Sequence, residues 1–203
     1  SRTGLINPVA IFDAVELEGT TVTRASVHNV SIMRSLKLGV GDRIKVYKAN
    51  MIIPQILDNL TKSNAEQVPV SCPVCGGETE LKDEEGVQTL YCTNPYCMAK
   101  RIKLLTHFVS RDAMNIAGLS EMTLEKFVAE NMIHELSDVF KLAMHKEKIV
   151  KMEGFGERSY TNLIKSLDKA RETTAVRILY SLGIANIGLA TAKLICRYFN
   201  KGC

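Results

Sequence analysis

The sequence predicts a multi-domain α+β chain: a small β-barrel, a four-cysteine metal knuckle, then an all-α region of helical repeats. Three observations predict it. Between residues 8 and 60, β-branched residues recur in short runs punctuated by glycine. Four cysteines then follow, Cys72, Cys75, Cys92 and Cys97, as C-P-V-C and C-T-N-P-Y-C with sixteen residues between the pairs. From residue 99 onward the apolar residues repeat at helical spacing, interrupted by three glycine-bearing turns.

Composition bounds the possibilities. With 203 residues, 46% of them hydrophobic, the chain can bury one sizeable core or two to three small ones. No apolar run approaches the ~18 residues of a membrane span. The net charge is only +4, but it is unevenly spread. Residues 1–98 hold 9 Lys and Arg against 11 Asp and Glu, whereas residues 99–203 hold 17 against 11. A basic second half suits phosphate binding, with solvated helix faces as the alternative. The chain opens on Ser-Arg-Thr-Gly-Leu without Met and ends on Asn-Lys-Gly-Cys, so both ends read as cut from a longer protein.

In the first region, Pro8–Phe12, Ala14–Gly19 and Thr20–Val27 read as strands. His28–Leu36 reads as a short inserted helix, with His28 and Asn29 ordering its start. Leu38–Asp42 is a turn, and Arg43–Lys48 alternates basic and apolar residues as a half-buried strand does. Ile52–Leu57 is a further strand whose Pro54 favours an edge or a bulge. Short strands at this spacing suggest a barrel over residues 5–62, with residues 63–70 as a polar linker.

Residues 71–98 form the knuckle. Zn²⁺ takes four thiolates tetrahedrally, and a CxxC turn offers two of them at little chain cost. Gly76 and Gly77 suit the tight turn after the first pair. Disulfides or buried free thiols are the alternatives; the lack of a secretory segment in these residues favours the metal. Four thiolates leave no open position, so the ion would hold shape. The acidic run Lys82–Gly86 inside the knuckle reads as a solvated hairpin turn. Cys196 falls in an apolar helical pattern and reads as core, and Cys203 closes the chain.

Residues 99–203 begin with an amphipathic helix, Met98–Val109, whose apolar members are Ile102, Leu104, Leu105 and Phe108. The turns are Met114–Ser120, Val150–Gly156 and Leu182–Gly188, each followed by an apolar helix. Glycine tolerates positive φ and lets the backbone come close to a ligand. A turn that opens a helix also offers unpaired N–H groups to a phosphate oxygen. The apolar pairs Ile116/Leu119, Met152/Phe155 and Ile184/Ile187 would face back and lock the helices. This is the helix–hairpin–helix device, and it grips the nucleic-acid backbone without reading bases. Ordinary bundle turns are the alternative. The first copy has Ser120 where the pattern has glycine.

Together these motifs resemble a family, the bacterial NAD⁺-dependent DNA ligases. Arg2-Thr-Gly4 is similar to the segment that closes their adenylation domain, and Thr21–Asn29 to a barrel motif. Gly41-Asp and Ile52–Ile56 resemble later barrel strands, and Cys92–Cys97 the second knuckle. His107–Leu119, Glu153–Ser159 and Leu182–Ile184 resemble the helical segments, all in the family's order. The chain departs from the family at Ala49-Asn-Met51, where A-G-D is usual, and at Met98-Ala-Lys100, where P-A-Q is usual. It has no K-x-D-G adenylation motif.

The resemblance implies an OB-type barrel and a parent enzyme that seals nicks in duplex DNA, joining a 3′-hydroxyl to a 5′-phosphate in replication and repair. That enzyme uses NAD⁺ and Mg²⁺ bound mainly upstream, so this segment would be the inactive DNA clamp, with no catalytic residue. Its metal ligands would be the four cysteines. Its DNA contacts would be Arg24, Arg43, Lys45 and Lys48 on the barrel, with Gly118, Gly154, Gly156, Gly183 and Gly188 at the hairpins and Arg158 and Lys193 adding charge. Its partners would be nicked double-stranded DNA, an upstream adenylation domain and a downstream BRCT domain, in the bacterial cytoplasm at the nucleoid and not at a membrane. A non-enzymatic zinc-containing repair scaffold that binds DNA structure, or a zinc-stapled protein–protein module, are the competing readings.

Overall fold

Strand pairing in the first part of the chain reaches across the whole of residues 5–92. The computed structural model describes residues 1–65 and 67–200, so Cys203 and Glu66 of the expected linker lie outside the described residues. The chain divides into two compact units, one running from Thr3 to Lys100 and one beginning at Arg101.

In the first unit, β1 (Leu5–Ile6) is followed by β2 (Val9–Leu17), β3 (Thr20–Ser26), α1 (Val30–Ser35), β4 (Ile44–Ala49) and β5 (Ile53–Asn59). β2 to β5 form one sheet in the order β2-β3-β5-β4. The two strands read between residues 8 and 19 are one bulged strand. Ile11 opposes Arg24 and Val15 opposes Val22, so Phe12, Asp13 and Ala14 together face Thr23. Such an insertion bends a strand and tightens its twist, as a sheet must bend to wrap a small core. A second bulge at Leu57 lies between the pairs Val46–Ile56 and Lys45–Asp58.

Pro54 departs from the expected edge position, because β5 runs between β3 and β4. The proline is tolerated because β3 joins β5 at the single pair Ser26–Gln55, while Pro54 opposes Lys48 near the start of the strand. Asn29 caps α1 by accepting the Ile32 N–H at 2.9 Å. The residues after the barrel are held to it: the Asn64 N–H donates to the Lys37 carbonyl at 2.9 Å, and Val68 packs on the barrel core.

β6 (Thr79–Glu84) and β7 (Val87–Cys92) form a hairpin through Glu85 and Gly86, at φ 54° and 82°. Positive φ at both central residues matches the twist of the flanking strands. β7 pairs on its other side with β1, Leu5 opposite Tyr91 and Ile6 opposite Leu90. Leu90 is buried in the barrel core with Val27, Val30 and Met33. Ser31 of α1 also receives the Gln88 N–H at 2.7 Å. The knuckle hairpin therefore contributes Leu90 to the barrel core.

The second unit contains α3 (Glu121–Ala129), a 3₁₀ segment (Leu136–His145), α4 (Lys146–Val150), α5 (Glu157–Arg171), α6 (Ala175–Ser181) and α7 (Leu189–Asn200), preceded by α2 (Met98–Val109). Ile102, Leu105 and Phe108 of α2 are buried as their spacing predicts, against Leu124, Phe127, Ile133, Leu142, Ile149 and Leu163. The 3₁₀ segment was not foreseen. Asp138 starts it by accepting the N–H groups of His134 and Glu135, and the Lys141 ammonium beside it holds its carboxyl well below the usual range. His107 is a packing residue, as read, with Nε2 2.8 Å from the Tyr180 carbonyl.

Candidate metal centre and nucleic-acid interface

The four knuckle cysteines converge. Their sulfurs all lie within 4.8 Å of one another, with Cys72–Cys97 at 4.0 Å and Cys75–Cys92 at 3.6 Å. A tetrahedral ion with Zn–S near ~2.3 Å sets sulfur–sulfur edges of about 3.8 Å. A disulfide needs about 2.05 Å, and all four thiols are free. Cys72, Cys92 and Cys97 are buried and Cys75 is half-buried.

The backbone explains the convergence. Gly76, at φ 68°, donates its N–H to the Cys72 carbonyl at 2.9 Å, and the Cys72 N–H donates to the Gly77 carbonyl at 2.7 Å. A Cβ on Gly77 would lie 3.0 Å from Asn94 Cβ and 3.3 Å from Cys75 Sγ, so this glycine keeps the two knuckles close. The longer second turn closes through the Tyr96 N–H, which donates to Asn94 Oδ1 at 2.9 Å. The Gly77 N–H draws the Cys75 thiol down to about 6, while burial pushes Cys92 up to about 12. A dication bound by the four sulfurs would draw their protons off. The donor set supports a structural Zn²⁺.

The barrel cations divide between two faces. Tyr47, Gln55 and Ser26 occupy one row of the sheet, and the Tyr47 hydroxyl donates to Gln55 Oε1 at 2.9 Å. Alternation puts Arg24, Arg43 and Lys45 on that face, and all three are exposed. Lys48 falls on the other face, where its Nζ donates to Thr20 Oγ1 at 2.5 Å. At the β4–β5 tip, Asn50 and Met51 take positive φ (52° and 61°), and Met51, Ile52 and Ile53 are 77%, 76% and 52% exposed. Sequence reading noted the unusual Ala49-Asn-Met51 but not this apolar tip; the signal was three consecutive apolar residues, Met51–Ile53, at a hairpin turn.

In the second unit, Gly118, Gly154 and Gly183 adopt positive φ (89°, 84° and 65°). Gly156 caps α5 with extended backbone (φ −152°), so its value there is space: a Cβ on it would meet nothing within 4 Å, and the same holds at Gly188. The first two turns face a common cleft of about 390 Å³, lined by Gly118, Thr123, Gly154, Phe155, Ser159 and Asn162. Ser120 caps α3 by accepting the Thr123 N–H at 3.2 Å, which explains serine in the first copy. Arg158 is exposed in the first turn of α5, and Lys193 is exposed in the second turn of α7. The third turn differs. Ile116 and Leu119 are buried, and Met152 and Phe155 pack on the core, but Ile184 is 43% exposed and lies outside that cluster. α6 and α7 pack on each other, and no α6 or α7 residue belongs to the described core cluster.

The fold and the centre define a β-barrel domain joined to a four-cysteine zinc finger. Residues 1–68 match the NAD-dependent DNA ligase OB-fold domain, and residues 71–99 match the NAD-dependent DNA ligase C4 zinc finger domain. The chain thus carries, in order, the OB-fold and C4 zinc finger domains of NAD-dependent DNA ligases. It is 64% identical to a DNA ligase of Ruminiclostridium cellulolyticum and 63% identical to one of Lachnoclostridium phytofermentans, over 98% of this chain and 30% of each relative. It is 39% identical to a DNA ligase of Bacillus subtilis over the same shares. The chain thus spans about 30% of the length of these relatives. Among the described residues no helix is long and apolar enough to cross a membrane.

Proposed function

We propose that this chain is the DNA-clamp portion of an NAD⁺-dependent DNA ligase that seals nicks in duplex DNA at the bacterial nucleoid. The observation that carries the reading is the pair of family domains in order, with exposed Arg24, Arg43 and Lys45 on one barrel face. In this reading the barrel lies on the minor groove. The cations engage phosphates, and the Met51–Ile53 tip enters the groove as an apolar wedge. Lys48, held by Thr20, plays the smaller part. The glycine turns are helix–hairpin–helix elements whose N–H groups take backbone phosphates, with Arg158 and Lys193 adding charge. Phosphate contact suits an enzyme that must act at any sequence. The zinc knuckle braces the barrel. In the whole protein NAD⁺ supplies the adenylate and Mg²⁺ assists. The residues that hold them are assigned to an adenylation domain, with a BRCT domain as the other intramolecular partner, and this chain alone has no ligation activity.

Fluorescence anisotropy with nicked and intact duplex at two salt concentrations tests the reading. The clamp predicts a log K that falls steeply with log salt. Salt-independent or undetectable binding by a folded, zinc-loaded chain would count against it. Replacing Gly154 and Gly156 together by valine should weaken binding about tenfold, the scale of one lost hydrogen bond to a charged group, with zinc retained. Unchanged affinity would remove the hairpins from the interface.

The tip makes a separate prediction. A non-glycine residue in the left-handed region costs about 1–2 kcal/mol. Met51→Gly is therefore expected to raise barrel stability by about 1 kcal/mol while lowering DNA affinity. Greater stability with full affinity would assign the tip no role on DNA.

A further inference from the structure

The zinc centre touches the beginning of the chain. The Cys92 N–H donates to the Gly4 carbonyl at 2.9 Å, so the backbone of a metal ligand is held by residue 4. Gly4 is buried at φ 90°, and a Cβ there would lie 2.7 Å from the Cys92 carbonyl oxygen. No other residue fits this position without moving the ligand. Two residues later, Ile6 pairs with Leu90 and packs on two clusters at once: the sulfur cluster of Cys72, Cys92 and Cys97, and the barrel core of Val27, Val30, Met33 and Leu90.

We propose that Gly4 and Ile6 form the outer shell of the zinc centre, a strap through which metal occupancy and the barrel core stabilise each other. This rests on the assignment of zinc to the four cysteines. Gly4 orients Cys92 by its backbone, as outer-shell groups orient metal ligands. Ile6 makes the coupling reciprocal: whatever tightens the barrel tightens the metal, and the converse holds by linkage.

The test is zinc affinity of the 203-residue chain, measured by competition with the chelator 4-(2-pyridylazo)resorcinol. A wild-type chain that holds no zinc would overturn the metal assignment itself. With zinc bound, Gly4→Ala is expected to lower affinity about 10–100-fold, the usual loss for an outer-shell partner. Gly19→Ala is the control, because Gly19 has φ 75° in the β2–β3 turn and nothing within 4 Å of its Cβ position. It should carry similar backbone strain and leave zinc affinity unchanged. Affinity within twofold of wild type in Gly4→Ala, or an equal loss in Gly19→Ala, overturns the strap. Should Gly4→Ala not fold, Ile6→Ala decides: the strap predicts lower zinc affinity together with a lower melting temperature, whereas ordinary barrel packing predicts only the second. Hydrogen exchange of the wild type gives the reverse direction. Zinc withdrawal should expose the Val27 N–H, which donates to Pro8 at 3.0 Å, and its continued protection would sink the coupling.

Discussion

Cys92→Ser is expected to abolish zinc binding and to melt the barrel along with the knuckle. Cys92 is 3% exposed and ends β7, the middle strand of the β1-β7-β6 sheet. A structural Zn²⁺ contributes about 10–16 kcal/mol to small zinc-finger folds, far more than a domain of this size has in reserve. Without the ion, the remaining thiols are a buried polar cluster with no common partner. β7 then loses its anchor, and with it Leu90, which belongs to the barrel core. Zinc content by plasma spectrometry should fall from about one per chain to none, with the melting transition of the first unit lost or lowered by tens of degrees. Loss of zinc with an unchanged transition would show that the knuckle hangs on the barrel without supporting it.

The second large effect is expected at Asn59, which is fully buried at the end of β5. Its Nδ2 donates to the carbonyls of Leu36 and Lys37, each at 3.0 Å, and to Asp42 Oδ2 at 2.7 Å. One amide thereby joins the end of α1, the following turn and the last strand. Asn59→Leu keeps the volume and removes the side-chain donor of the Leu36 carbonyl and of Asp42 Oδ2, while the Lys37 carbonyl keeps the Asn64 N–H; each group left unpaired costs about 1–3 kcal/mol. A loss of about 3–5 kcal/mol, read by urea unfolding, is expected; less than 1 kcal/mol would mean that water replaces the amide.

The same network makes stability depend on acid. Burial works to raise the Asp42 carboxyl, but hydrogen bonds from Asn59, Ser63 and Thr61 outweigh it and hold the group at about 2, against an ordinary 3.8. A depressed carboxylate stabilises the fold above its unfolded pKa. That contribution should therefore be intact above pH 3.8 and disappear as the pH falls through about 2. Asn59→Leu should flatten the pH dependence across that window.

The features legible in the sequence were those that depend on local spacing. The cysteine pairs, the Asn29 cap, the α2 stripe and the glycine turns each declare themselves within a few residues. What could not be read was set by pairing across distance. Nothing near Leu5 says that its partner is Tyr91, and nothing near Pro54 says that its strand runs between two others. The split of the barrel cations follows from alternation along β4, which puts Lys48 out of phase with Arg43 and Lys45; composition alone grouped all four. Ile184 was read as a locking residue because its turn resembled the other two, yet locking depends on what packs against α6 and α7. The acceptors of Asn59 are backbone carbonyls, which any sequence supplies.

The pairing of Leu5 with Tyr91 also sets an order of events during synthesis. A ribosome adds about 5–20 residues per second, so β1 waits roughly 4–17 seconds for its partner strand. Throughout that interval the barrel lacks Leu90, and only the first two metal ligands precede the missing strand. The turns and caps of β2 to β5 can form early, but β1 cannot pair until β7 has left the exit tunnel. Cys97, the fourth metal ligand, therefore emerges after every strand of the first unit, so a complete four-sulfur site exists only once all the strands are available.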